Sequence, residues 1–490
     1  MRRPPRVLMI SSEVECLART GGLGDVVDAL STTLGRRDAS VIVVTPKYGT
    51  TRMPPTTRWP SAVPARHGWA PHDVRDVGVL EVTGDLARHR RLCLLDDPPL
   101  FDRGGIYGDA RGTFGDNDLR FAVLSRAALE VAGRAWDGGP DVIHAHDWHA
   151  AFAVLYARLT MGVAWSQVPV VFTLHNIAFQ GVLGADAIDR LAIGREAFVP
   201  EVLEQMGRVN LVKGATALAD RITTVSPTHA REICTPAFGF GLDGHLTAHA
   251  HRLTGILNGI DVERFDPRAD GALARVYDER TLRVGKDRCK QALSEELGLT
   301  PGSGPLFGVV SRLTWQKGID LLEPLVHDLV GRGARLAVVG QGDPTLERAL
   351  LDLAARFPGR VATRIAFDPP LSRRVYAASD FFLVPSRFEP CGLTQMYAMR
   401  YGAIPIVADV GGLHDTVTPL TDGGETGSGF VFSSGDVVGL GRALGDALEL
   451  FDAPEARERA ARRLMQRDFS WDEPARQYEA LYAAIAPRIS

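Results

Sequence analysis

This sequence of 490 residues has little net charge: 55 Lys and Arg face 59 Asp and Glu, a formal balance of -4. A nucleic-acid binder would show a basic domain or stripe, and the short cluster Arg88-His89-Arg90-Arg91 reads as solvated surface. Cysteine is equally sparse. Cys16, Cys93, Cys234, Cys289 and Cys391 are odd in number and widely separated, which excludes a disulfide framework and any paired-cysteine zinc site. A reduced, cytoplasmic setting is therefore expected. Long apolar runs are missing too. The opening run Val7-Leu8-Met9-Ile10 is too short for the core of a signal peptide, and no stretch approaches membrane-spanning length, so no membrane association is expected.

What is present is a soluble-protein composition, 45% hydrophobic and 23% charged, carrying a repeated local pattern. Short β-rich apolar runs alternate with longer helical stretches. In the first half these runs are Val7–Ile10, Val41–Val44, Val142–Ile143, Val170–Thr173 and Ile222–Val225. In the second half they are Leu306–Val310, Leu336–Val339, Phe381–Val384, Ile404–Val407 and Phe430–Phe432. Such alternation implies parallel sheets covered by helices on both faces, and two series imply two doubly wound, Rossmann-like α/β domains. The expected division is 1–250, 251–470 and a C-terminal helix at 471–490, in which Tyr478, Leu481 and Tyr482 share a core-facing side.

Several polar strings follow these strands, where ligands of open α/β sheets bind. After Phe381–Val384 comes a turn with one carboxylate, Glu389, and then Gly392-Leu393-Thr394 entering a helix. Unpaired N–H groups and a positive dipole end suit a phosphate there, and the carboxylate suits hydroxyls, so a phosphorylated sugar is the natural guest. After Leu306–Val310, Arg312 and Lys317 offer a bidentate fork and a point charge for a pyrophosphate. Arg19-Thr20-Gly21-Gly22-Leu23-Gly24-Asp25 follows the first strand and lets a ligand approach the backbone. Its glycine spacing differs from the dinucleotide fingerprint. His144-Ala145-His146-Asp147-Trp148-His149 is dense in histidine, yet Trp148 stands where the His-x-His-x-Asp-His pattern of metallohydrolases needs Asp. No metal is assigned. Asp116-Asn117-Asp118 lies in a polar loop and is given no role.

The string PSRFEPCGLTQMYAMRYGAIPIV, residues 385–407, closely resembles the donor motif of bacterial glycogen synthases and plant starch synthases, and the resemblance recurs along nearly the whole chain. It implies a GT-B fold, in which two Rossmann-like domains face each other across a deep cleft and the C-terminal helix crosses back to the first. It implies transfer of glucose from an ADP-glucose donor to the non-reducing 4-hydroxyl of glycogen or another α-1,4-glucan, with retention and without a cofactor. In the family, residues matching Arg312 and Lys317 hold the diphosphate. Those matching Gly392, Leu393, Thr394 and Glu389 bind the donor, and an aromatic at Phe367 (usually Tyr) stacks on adenine. The Thr173–Gly181 string brings His175 to the transferred glucose, Asn258 contacts sugar, and Asp147 faces the acceptor. The loop with Gly21, Gly22 and Asp25 closes over the donor, although Arg19 replaces the usual Lys and Cys16 the usual Pro.

Retention admits a double displacement or a same-face attack. The first needs a carboxylate nucleophile that the sequence does not offer, so same-face attack is favoured. Within the same architecture the competing reading is a UDP-glucose enzyme or one with another acceptor. Many such relatives carry a second Glu eight residues after the first; here Tyr397 fills that position, with Gln395 nearby. A metal-dependent hydrolase and a non-catalytic glucan-binding protein are the weaker alternatives. Oligomeric state is left open.

Overall fold

The computed structural model describes residues 3–486. The chain divides into two compact units: 3–225 with Ala230–Asn258 and 471–486, and Ser226–His229 with Gly259–Ser470.

The first unit is built on a ten-stranded sheet. Its parallel part runs Leu253–Gly255, Arg221–Thr224, Val170–Leu174, Val142–His146, Arg6–Ile10, Ser40–Pro46, Arg91–Asp96. The strand Val170–Leu174 is buried along its whole length, which is why it reads as a near-continuous apolar run; Val142–His146 is equally buried but carries two histidines. One edge continues antiparallel through Val74–Val82 to Thr56–Arg58 and Val63–Arg66. The six-stranded sheet of the second unit is wholly parallel, in the order Val361–Ile365, Arg335–Gly340, Leu306–Val310, Phe381–Val384, Ile404–Ala408, Phe430–Phe432.

Strand order reverses at one place in each sheet. In the first, Arg6–Ile10 lies between Ser40–Pro46 and Val142–His146; in the second, Leu306–Val310 lies between Arg335–Gly340 and Phe381–Val384. Chain leaving two neighbouring strands in opposite directions opens a crevice at their carboxyl ends, where α/β folds bind ligands. The Arg312–Lys317 and Glu389 loops leave the two strands beside one reversal. The Arg19–Asp25 loop and Asp147 leave those beside the other.

The helix Asp472–Ile485 belongs to the first unit. Its Tyr478 and Tyr482 are buried with Val7, Met9, Leu30 and Leu34, while Leu481 is partly buried against them. Among the described residues no helix is long and apolar enough to cross a membrane.

Two local expectations are corrected. The strand expected at Val142–Ile143 extends to His146, so His144 and His146 are strand residues rather than loop residues. Each points into a polar buried network, which lets histidine sit in a fully buried strand. Arg90, read as solvated, is buried and ion-paired with Asp28, donating also to Ser31 Oγ. Its neighbour Arg91 pairs with Glu81 at 2.7 Å.

Candidate active site

In the second unit, two loops are stitched to each other. Gln316 Nε2 donates to Phe388 O at 3.1 Å, Arg387 N to Gln316 O at 2.8 Å and Arg387 Nη1 to Trp315 O at 2.8 Å. Gly318 has φ 62°, and a Cβ there would stand 2.0 Å from Pro385 O, so the close approach requires glycine. The stitching brings Lys317 Nζ to 2.5 Å from Glu389 Oε2, which also accepts from Ser386 Oγ at 2.9 Å. Glu389 is buried, and its carboxylate is held by a cation and a hydroxyl. Arg312 is exposed on the same loop as Lys317.

Beyond Glu389 the turn is shaped by Gln395, whose fully buried amide donates to Gly392 O at 2.8 Å and Thr416 Oγ1 at 3.0 Å. Gly392 has φ 71°. Leu393 precedes the helix Thr394–Arg400 without a side-chain cap on its first turn. Tyr397, eight residues after Glu389, stacks on Phe265 with ring centroids 3.8 Å apart. That position is thus filled by core packing. Phe367 is 56% exposed, in the turn between Val361–Ile365 and the helix that Asp368 caps.

In the first unit, Asp147 opens the helix Asp147–Leu159 with φ 57°, in the left-handed region. Its Oδ1 accepts the His175 backbone N–H at 2.7 Å, tying together the loops after two adjacent strands. Loss of solvent pushes the Asp147 carboxyl up to about 7, against the lowering effect of the His175 and Asn176 N–H groups. Burial pushes the His175 ring down to about 3. His175 Nε2 lies 3.1 Å from His146 Nδ1. His144 bridges Tyr482 OH, at 2.7 Å from Nδ1, and Thr173 Oγ1, at 2.6 Å from Nε2. Asn258 is buried, and its Oδ1 has no hydrogen-bond partner among the described residues.

The Arg19–Asp25 loop is ordered by a residue that sequence reasoning left without a role. Glu13 accepts from Thr20 N at 2.6 Å, Thr20 Oγ1 at 2.8 Å, Gly21 N at 3.2 Å and Tyr107 OH at 2.6 Å. A carboxylate just after the first strand was the available signal; its partner Tyr107 lies too far along the chain to be read with it. Arg19 is ion-paired with Asp25 and, at 3.6 Å, with Glu15. A Cβ on Gly21 would meet nothing within 4 Å, whereas one on Gly24 would stand 3.0 Å from the Arg19 Cβ. Gly22 begins the helix Gly22–Arg36. Asp116 and Asp118 pair with Arg103 and Arg190, both at 2.6 Å.

Many known proteins match this chain. The family model for starch synthase catalytic domains matches residues 6–248, and that for group 1 glycosyl transferases matches 304–449. A glycogen synthase of Myxococcus xanthus is 42% identical, with 97% of this chain and 98% of that one covered. One of Novosphingobium aromaticivorans is 40% identical over 98% of each. The chain belongs to the glycogen synthase and starch synthase family. The catalytic domain of Arabidopsis thaliana starch synthase IV, solved with ADP and acarbose bound, superimposes with a TM-score of 0.90 at 33% identity, covering 99% of this chain and all of that one. A sucrose-phosphate synthase from Thermosynechococcus elongatus, at 20% identity and a TM-score of 0.60, shares the fold alone. As a family member the chain is a glycosyltransferase of GT-B type, acting with a nucleotide-sugar donor and a glucan acceptor.

Proposed function

We propose that this glycogen synthase homologue transfers glucose from ADP-glucose to the non-reducing 4-hydroxyl of an α-1,4-glucan with retention, in the cytoplasm. The observation that carries the reading is the Lys317–Glu389–Ser386 group beside the strand-order reversal of the second unit. It is a fixed ammonium next to a fixed carboxylate, the pair a sugar diphosphate calls for. Both Lys317 and Ser386 bind Oε2, so Oε1 is the atom that accepts from the sugar hydroxyls. Arg312 forks the diphosphate, Gly392, Leu393 and Thr394 give it backbone N–H groups, and Phe367 offers an exposed ring to adenine.

Same-face displacement fits this residue set. The bond from the anomeric carbon to the diphosphate oxygen breaks as the acceptor oxygen adds, and the leaving diphosphate takes the acceptor proton. The protein then contributes position and charge: Arg312 and Lys317 stabilise the diphosphate as it leaves. In the first unit, Asp147 and Asn258 bind acceptor and sugar hydroxyls, His175 contacts the transferred glucose, and Arg19, Gly21, Gly22 and Asp25 form a second donor-binding loop. Radiolabelled ADP-glucose and UDP-glucose, compared on glycogen primer, test the donor. Incorporation from ADP-glucose should dominate in kcat/KM, and a preference for UDP-glucose would overturn the assignment.

A further inference from the structure

The two histidines at the carboxyl ends of Val142–His146 and Val170–Leu174 share one hydrogen bond, and its direction can be read from the packing. His146 is fully buried, with Nδ1 3.1 Å from His175 Nε2. Its other nitrogen, Nε2, is buried and has no hydrogen-bond partner among the described residues. The neighbouring His144 ring lies tilted against it at 4.1 Å between centroids, and the nitrogens of His144 are taken by Tyr482 and Thr173. Burial, and then the adjacent histidines, hold His146 well below its ordinary pKa, as burial does for His175. The pair is therefore neutral near pH 7, with one proton between the facing nitrogens.

If His175 were the donor, His146 would carry its own proton on Nε2, an N–H sealed where nothing accepts it. Orphaned buried N–H groups are rarer than under-used acceptors. We infer that His146 is a positioning residue: it donates from Nδ1 to His175 Nε2 and so fixes His175 as the tautomer whose Nδ1 carries the proton. The half-buried His175 then meets its ligand as a hydrogen-bond donor and has no lone pair free to act as a base. The inference rests on the reading that His175 contacts the transferred sugar, but the tautomer itself does not.

Two-bond proton–nitrogen correlation spectra at pH 7 of the full chain, carrying protonated 15N-histidine in an otherwise deuterated background, test the assignment directly. Signals are identified with His146→Asn and His175→Asn. Both His146 and His175 should appear as the Nδ1–H tautomer; a His175 protonated on Nε2 overturns the inference. Turnover supplies the second readout. Asn presents an amide N–H near the place of histidine Nδ1, so His146→Asn should recover most of what His146→Leu loses, a loss on the order of 10-fold or more in kcat. Equal losses in the two variants would mean that His146 acts through packing alone, against the inference. A fully active His175→Ala would instead overturn the sugar-contact reading while the tautomer stood.

Discussion

At the residue scale, the two carboxylates Glu389 and Asp147 are held in opposite ways, and each difference is measurable. Glu389 is buried but paired, with Lys317 at 2.5 Å and Ser386 at 2.9 Å. Replacing Lys317 with alanine would leave that carboxylate in the interior with the serine alone, so lost activity would mix with lost stability. Glu389→Gln is the cleaner probe, because the amide keeps the shape and can still accept from both partners. It should fold, with a smaller loss of stability than Lys317→Ala because the amide still accepts from the ammonium, and lose about 10²–10³ in kcat, the scale of one contact made in the transition state. Near-normal turnover would remove Glu389 from the donor site. Asp147 is short of solvent, which raises its carboxyl to about 7 from about 3.9 in an unfolded chain. A raised folded-state value means that the contribution to stability is complete below about pH 4 and falls away as the pH rises to about 7. His175, pushed down to about 3, works in the other direction and loses stability as the pH falls below its ordinary value of about 6.5. Asp147→Asn removes only the first effect, and asparagine tolerates the left-handed backbone there. Denaturation of both forms across pH 4–9 should show the variant gaining on the wild type up to about pH 7 and level beyond. A difference between them that stays constant from pH 4 to 9 would contradict the raised value.

At the scale of elements, the C-terminal helix Asp472–Ile485 buries two tyrosines, Tyr478 and Tyr482, in the core of the first unit. Tyr482 packs among Val7, Met9 and Leu30 while its hydroxyl reaches His144. Tyr482→Phe keeps the packing and drops one hydrogen bond, which should cost about 1 kcal/mol. Tyr482→Ala also leaves a cavity and should cost about 3–5 kcal/mol. Urea unfolding followed by a probe in the first unit separates the two, and equal costs would mean the helix is held by the hydroxyl alone. This helix was legible because its aromatic residues recur at helical spacing, and the buried strands were legible because both faces of a parallel sheet are apolar. What escaped was polar and long-range. The strand through His144 and His146 is invisible to a search for apolar runs, since the hydrogen bonds its histidines make go to Thr173, Tyr482 and His175, residues distant along the chain. The Glu13 network was hidden for the same reason, with Tyr107 94 positions away. The turn Gly392–Thr394 was readable because its chemistry lies in consecutive residues, although Ser386, which holds Glu389, drew no notice and Gln395 was noted only beside Tyr397, not for the amide that shapes the turn.

At the scale of the whole molecule, the residues assigned to the nucleotide are gathered in one compact unit. Arg312, Lys317, Phe367, Gly392, Leu393 and Thr394 all fall within Gly259–Ser470, on loops that leave the strands Leu306–Val310, Val361–Ile365 and Phe381–Val384. A ligand that binds only the folded form stabilises what it touches, by about 2.7 kcal/mol at a hundred times its dissociation constant. ADP at that ratio should slow hydrogen exchange in the loops around 311–318, 366–371 and 385–395. In the sheet core of the first unit, for example Val142–His146 and Val170–Leu174, exchange should stay unchanged. The Glu389→Gln variant should keep this pattern with ADP, because its carboxylate is assigned to the sugar and not to the diphosphate. Lys317→Ala should weaken it. Mass spectrometry of exchanged peptides resolves each of these segments. Slowing confined to 19–25, with the second-unit loops unaffected, would transfer the nucleotide to the first unit and remove Arg312 and Lys317 from the diphosphate.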